Sequence, residues 1–345
     1  MRAGDRVSAA FIAAASGAAV ACAGPQSALD PAGPAAGRIA ELWWIMFAVA
    51  TAVVLITVGL TMYALLRRRE RPESIGEAPS RLSPEADVRD TRLILLAGGG
   101  VTTLVLLGVF LLSLVTLGAI VPTRGDRADL VVEVTGRLWW WHVRYLDPTP
   151  SNVFATANEI RVPVGRRVEV RLTSGDVIHS FWVPSLQGKL DLIPGKRNVT
   201  WIQADEPGVY RGQCAEYCGL QHARMAFTVV AMPPAEFAAW LANQRRPAAE
   251  PHDEEARRGQ TVFLNSGCAL CHTVRGTPTA GVMGPDLTHV ASRLTLAAGT
   301  IPNTKGHLGG WVANPQEIKP GALMPRVELS AADFHALLHY LISLR

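Results

Sequence analysis

The chain has 345 residues, enough for several domains, and its 31 Gly and 23 Pro supply joints between them. Only 18% of residues are charged and 49% are hydrophobic, with a mean hydropathy of +0.18, which excludes disorder and leans away from a wholly soluble protein. The +4 net charge, from 33 Lys+Arg against 29 Asp+Glu, leaves no basic excess for nucleic acid, and an odd five cysteines make no disulfide framework.

Residues 1–21 read as an export signal: Arg2 and Arg6, an Ala-rich apolar stretch from Val7, then small residues before Cys22. A cysteine at that place resembles a bacterial lipoprotein signal, with Cys22 acylated; ordinary cleavage or an uncleaved anchor are the alternatives. Residues 22–123 are expected to form a transmembrane hairpin. Its spans, Leu42–Leu66 and Leu93–Val121, are free of charge over more than the ~20 residues that cross a bilayer core. Gly98-Gly99-Gly100 is expected to loosen the second span near its start. Between the spans lie Arg67, Arg68, Arg69, Arg71, Arg81, Arg89 and Arg92, so the loop faces the cytoplasm and both chain ends face outward.

After Pro122 the pattern changes to short alternating segments, such as Val168, Val170 and Leu172 between Arg167, Glu169 and Arg171. Residues 124–241 therefore read as an all-β sandwich or barrel, with strand-like runs at Leu130–Tyr145, Asn198–Gln203, Gly208–Arg211 and Ala226–Ala231. A short helix at Phe237–Leu241 closes it. Within this domain Cys214, Glu216, Cys218, His222 and Met225 fall in twelve residues. Soft sulfur with imidazole selects copper. Two thiolates can bridge two coppers, with His179 and His222 as outer imidazoles, Met225 on one metal and the Glu216 carbonyl on the other. A Cys214–Cys218 disulfide is the alternative, but it leaves His222 and Met225 without a role.

The run Trp139-Trp140-Trp141, Asp176–Trp182, Asp191–Gly195 and the Cys214–Met225 loop, together with the two spans, resemble cytochrome c oxidase subunit II over about residues 39–235. The resemblance implies a cupredoxin fold and a binuclear CuA centre on the residues just named. It also implies a magnesium ion on the Glu216 side chain shared with subunit I, and Trp139 as the point of electron entry. Asp90, at the inner start of the second span, matches a carboxylate that serves some members as the mouth of a proton channel; capping of the helix is the alternative.

Residues 242–255, with Pro247 and Pro251, read as a linker. Cys268-Ala269-Leu270-Cys271-His272 then carries the c-type haem pattern, two thioether tethers followed by an axial histidine, and a zinc site lacks a second ligand pair. Met324 is the expected distal ligand and Met283 its rival. Residues 256–345 resemble class I cytochromes c, an all-α fold, which implies that the Pro285 carbonyl steadies His272. The remaining histidines have no motif around them. Neither exported domain carries heavy charge to steer a free donor, whereas a short tether raises its local concentration to roughly millimolar.

The three-part chain thus resembles subunit II of a caa-type terminal oxidase in a bacterial inner membrane, relaying electrons while subunit I reduces oxygen and pumps protons. The expected partners are subunit I, other membrane subunits, lipid, and a cytochrome c or quinol-oxidising complex as donor. A CuA-bearing nitric oxide reductase and a copper-delivery chaperone are the alternatives.

Overall fold

The computed structural model describes residues 24, 26–69, 88, 91–122, 128 and 130–345. The export signal, Cys22 and Asp90 lie outside the described residues. Two units are distinct: 38–121, and the rest.

The first unit holds most of helix α1 (Pro34–Arg69) and all of α2 (Thr91–Ile120), which are apolar all round over their uncharged runs. Leu55, Ile56, Leu60, Leu104, Leu106 and Phe110 are all more than half exposed, the surface a lipid-facing helix presents. Within α2, Leu95–Gly100 widens into a π-helical turn. Three successive glycines there offer no side chains to favour the tighter winding, so the expected loosening takes this form. Both helices extend past the uncharged runs, α1 beginning well before Leu42.

The second unit holds a β-sandwich of two five-stranded sheets. One runs β3 (Phe154–Ala157), β2 (Trp140–Leu146), β1 (Leu130–Arg137), β5 (Val168–Ser174), β8 (Asn198–Ile202). The other runs β4 (Glu159–Pro163), β10 (Ala226–Met232), β9 (Gly208–Cys214), β6 (His179–Val183), β7 (Gln187–Leu192). The pairs β1–β5 and β10–β4 are parallel, and the others antiparallel. Val168, Val170 and Leu172 point inward and are fully buried while their charged neighbours face out, as the alternation predicts. Trp141, Phe181 and Phe227 meet at the centre, with ring centroids 4.7–6.2 Å apart. Each such side chain contributes about 1.5–3 kcal/mol by burial.

Two expectations change. The Leu130–Tyr145 run is a hairpin rather than one strand, because it must turn at Leu138-Trp139 to bring Trp140 opposite Arg137. The closing helix, α3 (Pro234–Arg245), is also longer than expected: Pro234 suits a first helical position, and Arg245 at its end pairs with Asp147 at 2.6 Å.

The remainder is mainly helical, with α4 (Glu254–Asn265), α5 (Cys268–Cys271), α6 (Lys305–Ala313), α7 (Pro315–Ile318) and α8 (Ala331–Ser343), and a small antiparallel pair at Thr295–Leu296 and Ile301–Pro302. Asp253 caps α4 and Ser330 caps α8, each accepting a main-chain N–H three residues on. Phe263, Leu337, Tyr340 and Leu341 form the α4–α8 core. Two spans, a β-sandwich and a helical C-terminal domain are the architecture expected from the sequence.

The stretch joining the exported domains is not loose. Arg275 donates to the Gln244 and Arg245 carbonyls at 2.6 and 3.3 Å, and Ala248 N–H donates to Arg275 O at 2.9 Å. The buried His289 has its two ring nitrogens at the carbonyls of Arg246 and Arg345. Composition could show the prolines but not this far-reaching arginine and histidine.

Candidate copper and haem sites

Strand β6 delivers His179 and strand β9 ends on Cys214; the loop that follows supplies Glu216, Cys218, His222 and Met225 before β10 begins. The loop closes on itself through His222 N–H to Gly219 O at 3.0 Å and Met225 N–H to His222 O at 3.2 Å, and Cys214 N–H donates to Met225 O at 2.9 Å. Six donors converge as a result. The two sulfurs stand 3.7 Å apart, well beyond a disulfide bond of ~2.05 Å. His179 Nδ1 lies 3.9 Å from Cys214 Sγ, His222 Nδ1 3.6 Å from Cys218 Sγ, Met225 Sδ 3.7 Å from Cys218 Sγ, and Glu216 O 3.1 Å from Cys214 Sγ.

His179, Cys214 and Cys218 are buried, with Met225 beneath them. The hydrogen bond shared between the sulfurs holds the Cys214 thiol well below its ordinary range and pushes Cys218 above it. Burial alone would lower His179, but its bonds to Cys214 and Asp176 outweigh that and raise it. Asp176 Oδ1 accepts from His179 Nε2 at 2.8 Å, leaving Nδ1 facing the sulfurs. Gly136 backs the ring so closely that a Cβ there would lie 2.6 Å from His179 Cδ2. Neither Asp176 nor Gly136 was singled out from sequence; the Asp-Val-Ile-His spacing was the available signal. Two thiols, two imidazoles, a thioether and a carbonyl form a soft donor set that fits a copper pair.

Trp139 reaches this loop from the β1–β2 turn. Its indole Nε1 donates to Cys218 O at 2.9 Å. Trp140 lies instead against His142, and Trp141 is in the core.

In the helical domain, α5 holds Cys268 and Cys271, both free thiols, followed at once by His272. His272 Nδ1 donates to Pro285 O at 2.7 Å, which leaves Nε2 free. Burial lowers the His272 pKa, favouring the neutral ring that binds metal. Gly284 backs this ring, since a Cβ there would lie 2.5 Å from His272 Cε1. Met324 is half-buried and packs on the same core that Cys268 borders, whereas Met283 is 65% exposed. Paired free thiols beside a neutral histidine with a fixed tautomer fit a thioether-linked haem.

The copper loop and the helical domain meet at an interface that sequence reasoning missed. Lys319, 3% exposed, donates to the carbonyls of Trp139, Arg224 and Ala297 at 2.6, 2.8 and 3.2 Å. Burial pushes its pKa down to about 7. Gln221 donates to Pro320 O at 2.7 Å, and Arg224 to Ile318 O. Further along, Ala226 N–H donates to Ala298 O, Leu294 N–H to Glu159, and Arg161 to Ser292 O.

A copper-type cupredoxin joined to a c-type cytochrome, carried with two apolar helices, defines the class. Known proteins agree. The family description "Cytochrome C oxidase subunit II, periplasmic domain" matches residues 143–232, and "Cytochrome c" matches residues 256–345. Cytochrome c oxidase subunit 2 of Alkalihalophilus pseudofirmus is 35% identical over 331 residues, covering 94% of this chain and 93% of that one. The Bacillus subtilis subunit 2 is 33% identical over 235 residues, covering 64% of this chain and 65% of its own length. The periplasmic domain of the Bradyrhizobium japonicum oxidase subunit II is 34% identical, covering 35% of this chain and 96% of that one, with a TM-score of 0.32.

The chain belongs to the cytochrome c oxidase subunit 2 family. It is the subunit II of a haem-copper oxidase, a membrane protein with a periplasmic domain and a fused cytochrome c domain. Family membership implies CuA copper and haem c.

Proposed function

We propose that the chain relays electrons from its own haem c to its copper pair and on to subunit I, where oxygen is reduced and protons are pumped. When bound, the two groups supply reversible one-electron storage. Cys214 and Cys218 would hold the copper pair through their thiolates, and His179, His222, Met225 and the Glu216 carbonyl would complete the donor set. Asp176 fixes the tautomer of His179. The Glu216 carboxylate would bind a magnesium ion shared with subunit I. Cys268 and Cys271 would tether the porphyrin, and His272, steadied by Pro285, and Met324 would hold its iron.

The observation that carries this reading is Trp139. Its indole bonds to Cys218 of the copper loop and its main chain bonds to Lys319 of the cytochrome domain, so a single aromatic residue touches both halves. A relay inside one chain should be first order. Flash reduction of the haem in the intact complex should be followed by copper reduction at a rate independent of dilution. Slowing in proportion to dilution would mean that the haem of one complex serves the copper of another, and would overturn the reading.

A further inference from the structure

Lys319 is a buried lysine with no ion-pair partner among the described residues. Its three N–H donors meet three main-chain carbonyls, two from the sandwich (Trp139 and Arg224) and one from the helical domain (Ala297). Burying an ammonium is unfavourable, and a methionine would fill the space without that penalty. What an apolar side chain cannot do is tie three separate stretches of main chain at one point. Two of those stretches bear on the copper loop: Arg224 lies within it, and Trp139 bonds to Cys218. The residues beside Lys319 continue the contact. Gln221 holds Pro320 O, and a Cβ at Gly321 would lie 3.0 Å from Leu220 and 3.6 Å from the Trp139 ring.

We infer that Lys319 is a positioning residue that locks the cytochrome domain onto the copper loop at Trp139, so that the two carriers work from a permanently docked state rather than by repeated encounter. The inference rests on the relay proposed above. It assigns the close approach to the 318–321 segment and not to the linker, whose own bonds fix where the chain enters the helical domain but not the orientation at Trp139.

The test compares the intact oxidase complex with Lys319→Met and Gln221→Leu variants, and with Lys305→Met, an exposed lysine on α6, as control. Amide hydrogen exchange reports docking without any electron transfer. In Lys319→Met, exchange at residues 138–141 and 318–322 should quicken by about tenfold while the α4–α8 core stays protected. Haem-to-copper transfer should slow by about tenfold, as the docked fraction falls, with the copper and haem spectra unchanged. Gln221→Leu should move both readouts in the same direction by a smaller factor, which keeps the inference testable if Lys319→Met fails to fold. Unchanged exchange and an unchanged rate in the variants, with rapid transfer in the parent, would overturn the lock and leave the relay standing. Absence of internal transfer in the parent would overturn the relay instead, and the exchange data would still decide whether Lys319 docks the domains.

Discussion

His179 and His272 are held by the same device with opposite electrostatics. Each ring is pressed against a glycine that leaves no room for a Cβ, and each gives one nitrogen to a fixed acceptor. For His179 the acceptor is the Asp176 carboxylate, and a low-pKa thiol stands beyond the other nitrogen, so its affinity for positive charge rises. For His272 the acceptor is a neutral carbonyl and burial dominates, so that affinity falls. The residues proposed for copper would meet two cations with anionic donors. The haem proposed at His272 would need only a neutral, well-aimed nitrogen, because the porphyrin brings its own negative charge. The difference also shows in where the donors come from. The residues proposed for copper lie at the ends of two strands, β6 and β9, and on one tight loop of the sandwich, whereas those proposed for haem come from α5, the residue after it and a separate loop before α8.

The largest effect is expected at the sulfurs. Cys214→Ser should abolish the binuclear centre, since one thiolate cannot bridge as two do, and should leave covalent haem in place; persistence of a mixed-valence seven-line copper EPR signal would refute the assignment. Next in size is the distal haem ligand. Met324→Ala should shift the haem spectrum towards high spin or a replacement ligand, and the exposed Met283→Ala should not; the reverse outcome would move the role to Met283. Asp176→Asn separates the two histidines. Losing the carboxylate behind His179 should weaken copper binding by about 10- to 100-fold while haem binding is untouched. Copper titration of the metal-free protein reads this directly, and equal affinity would show that Asp176 only shapes the turn.

The candidate ligands were legible because metal chemistry concentrates rare residues at fixed spacing: Cys214, Cys218, His222 and Met225 within twelve residues, Cys268, Cys271 and His272 within five. The two spans were legible from the absence of charge alone. Alternation at Val168–Leu172 identified a strand and its inner face, but Leu130–Tyr145 was continuous in pattern although the chain reverses within it. Residues that act through distant contacts left no local mark. Lys319 sits in an ordinary Lys-Pro-Gly loop, and nothing near it in sequence points to Trp139. The same holds for Arg275 and His289, whose bonds to residues 244–248 turn an expected linker into a fitted segment.

That fitted segment gives the smallest expected effect and the finest contrast between the two halves. If a tether alone kept the haem near the copper, effective concentration would fall roughly as the −3/2 power of its length. Doubling the stretch would then slow internal transfer by about threefold. Ala249 and Glu250 are exposed, and a Gly-Ser insertion between them disturbs neither the bonds at Gln244–Ala248 nor those at Lys319. With the interface intact, the docked state should persist and the transfer rate should remain within experimental error of the parent. The same insertion in Lys319→Met should recover the length dependence, because only the chain connection would then hold the domains together. The measurement is the copper reduction rate after flash reduction of the haem in the four proteins of that double cycle. A threefold slowing on insertion alone would mean that the linker, and not the Lys319 contact, sets the encounter.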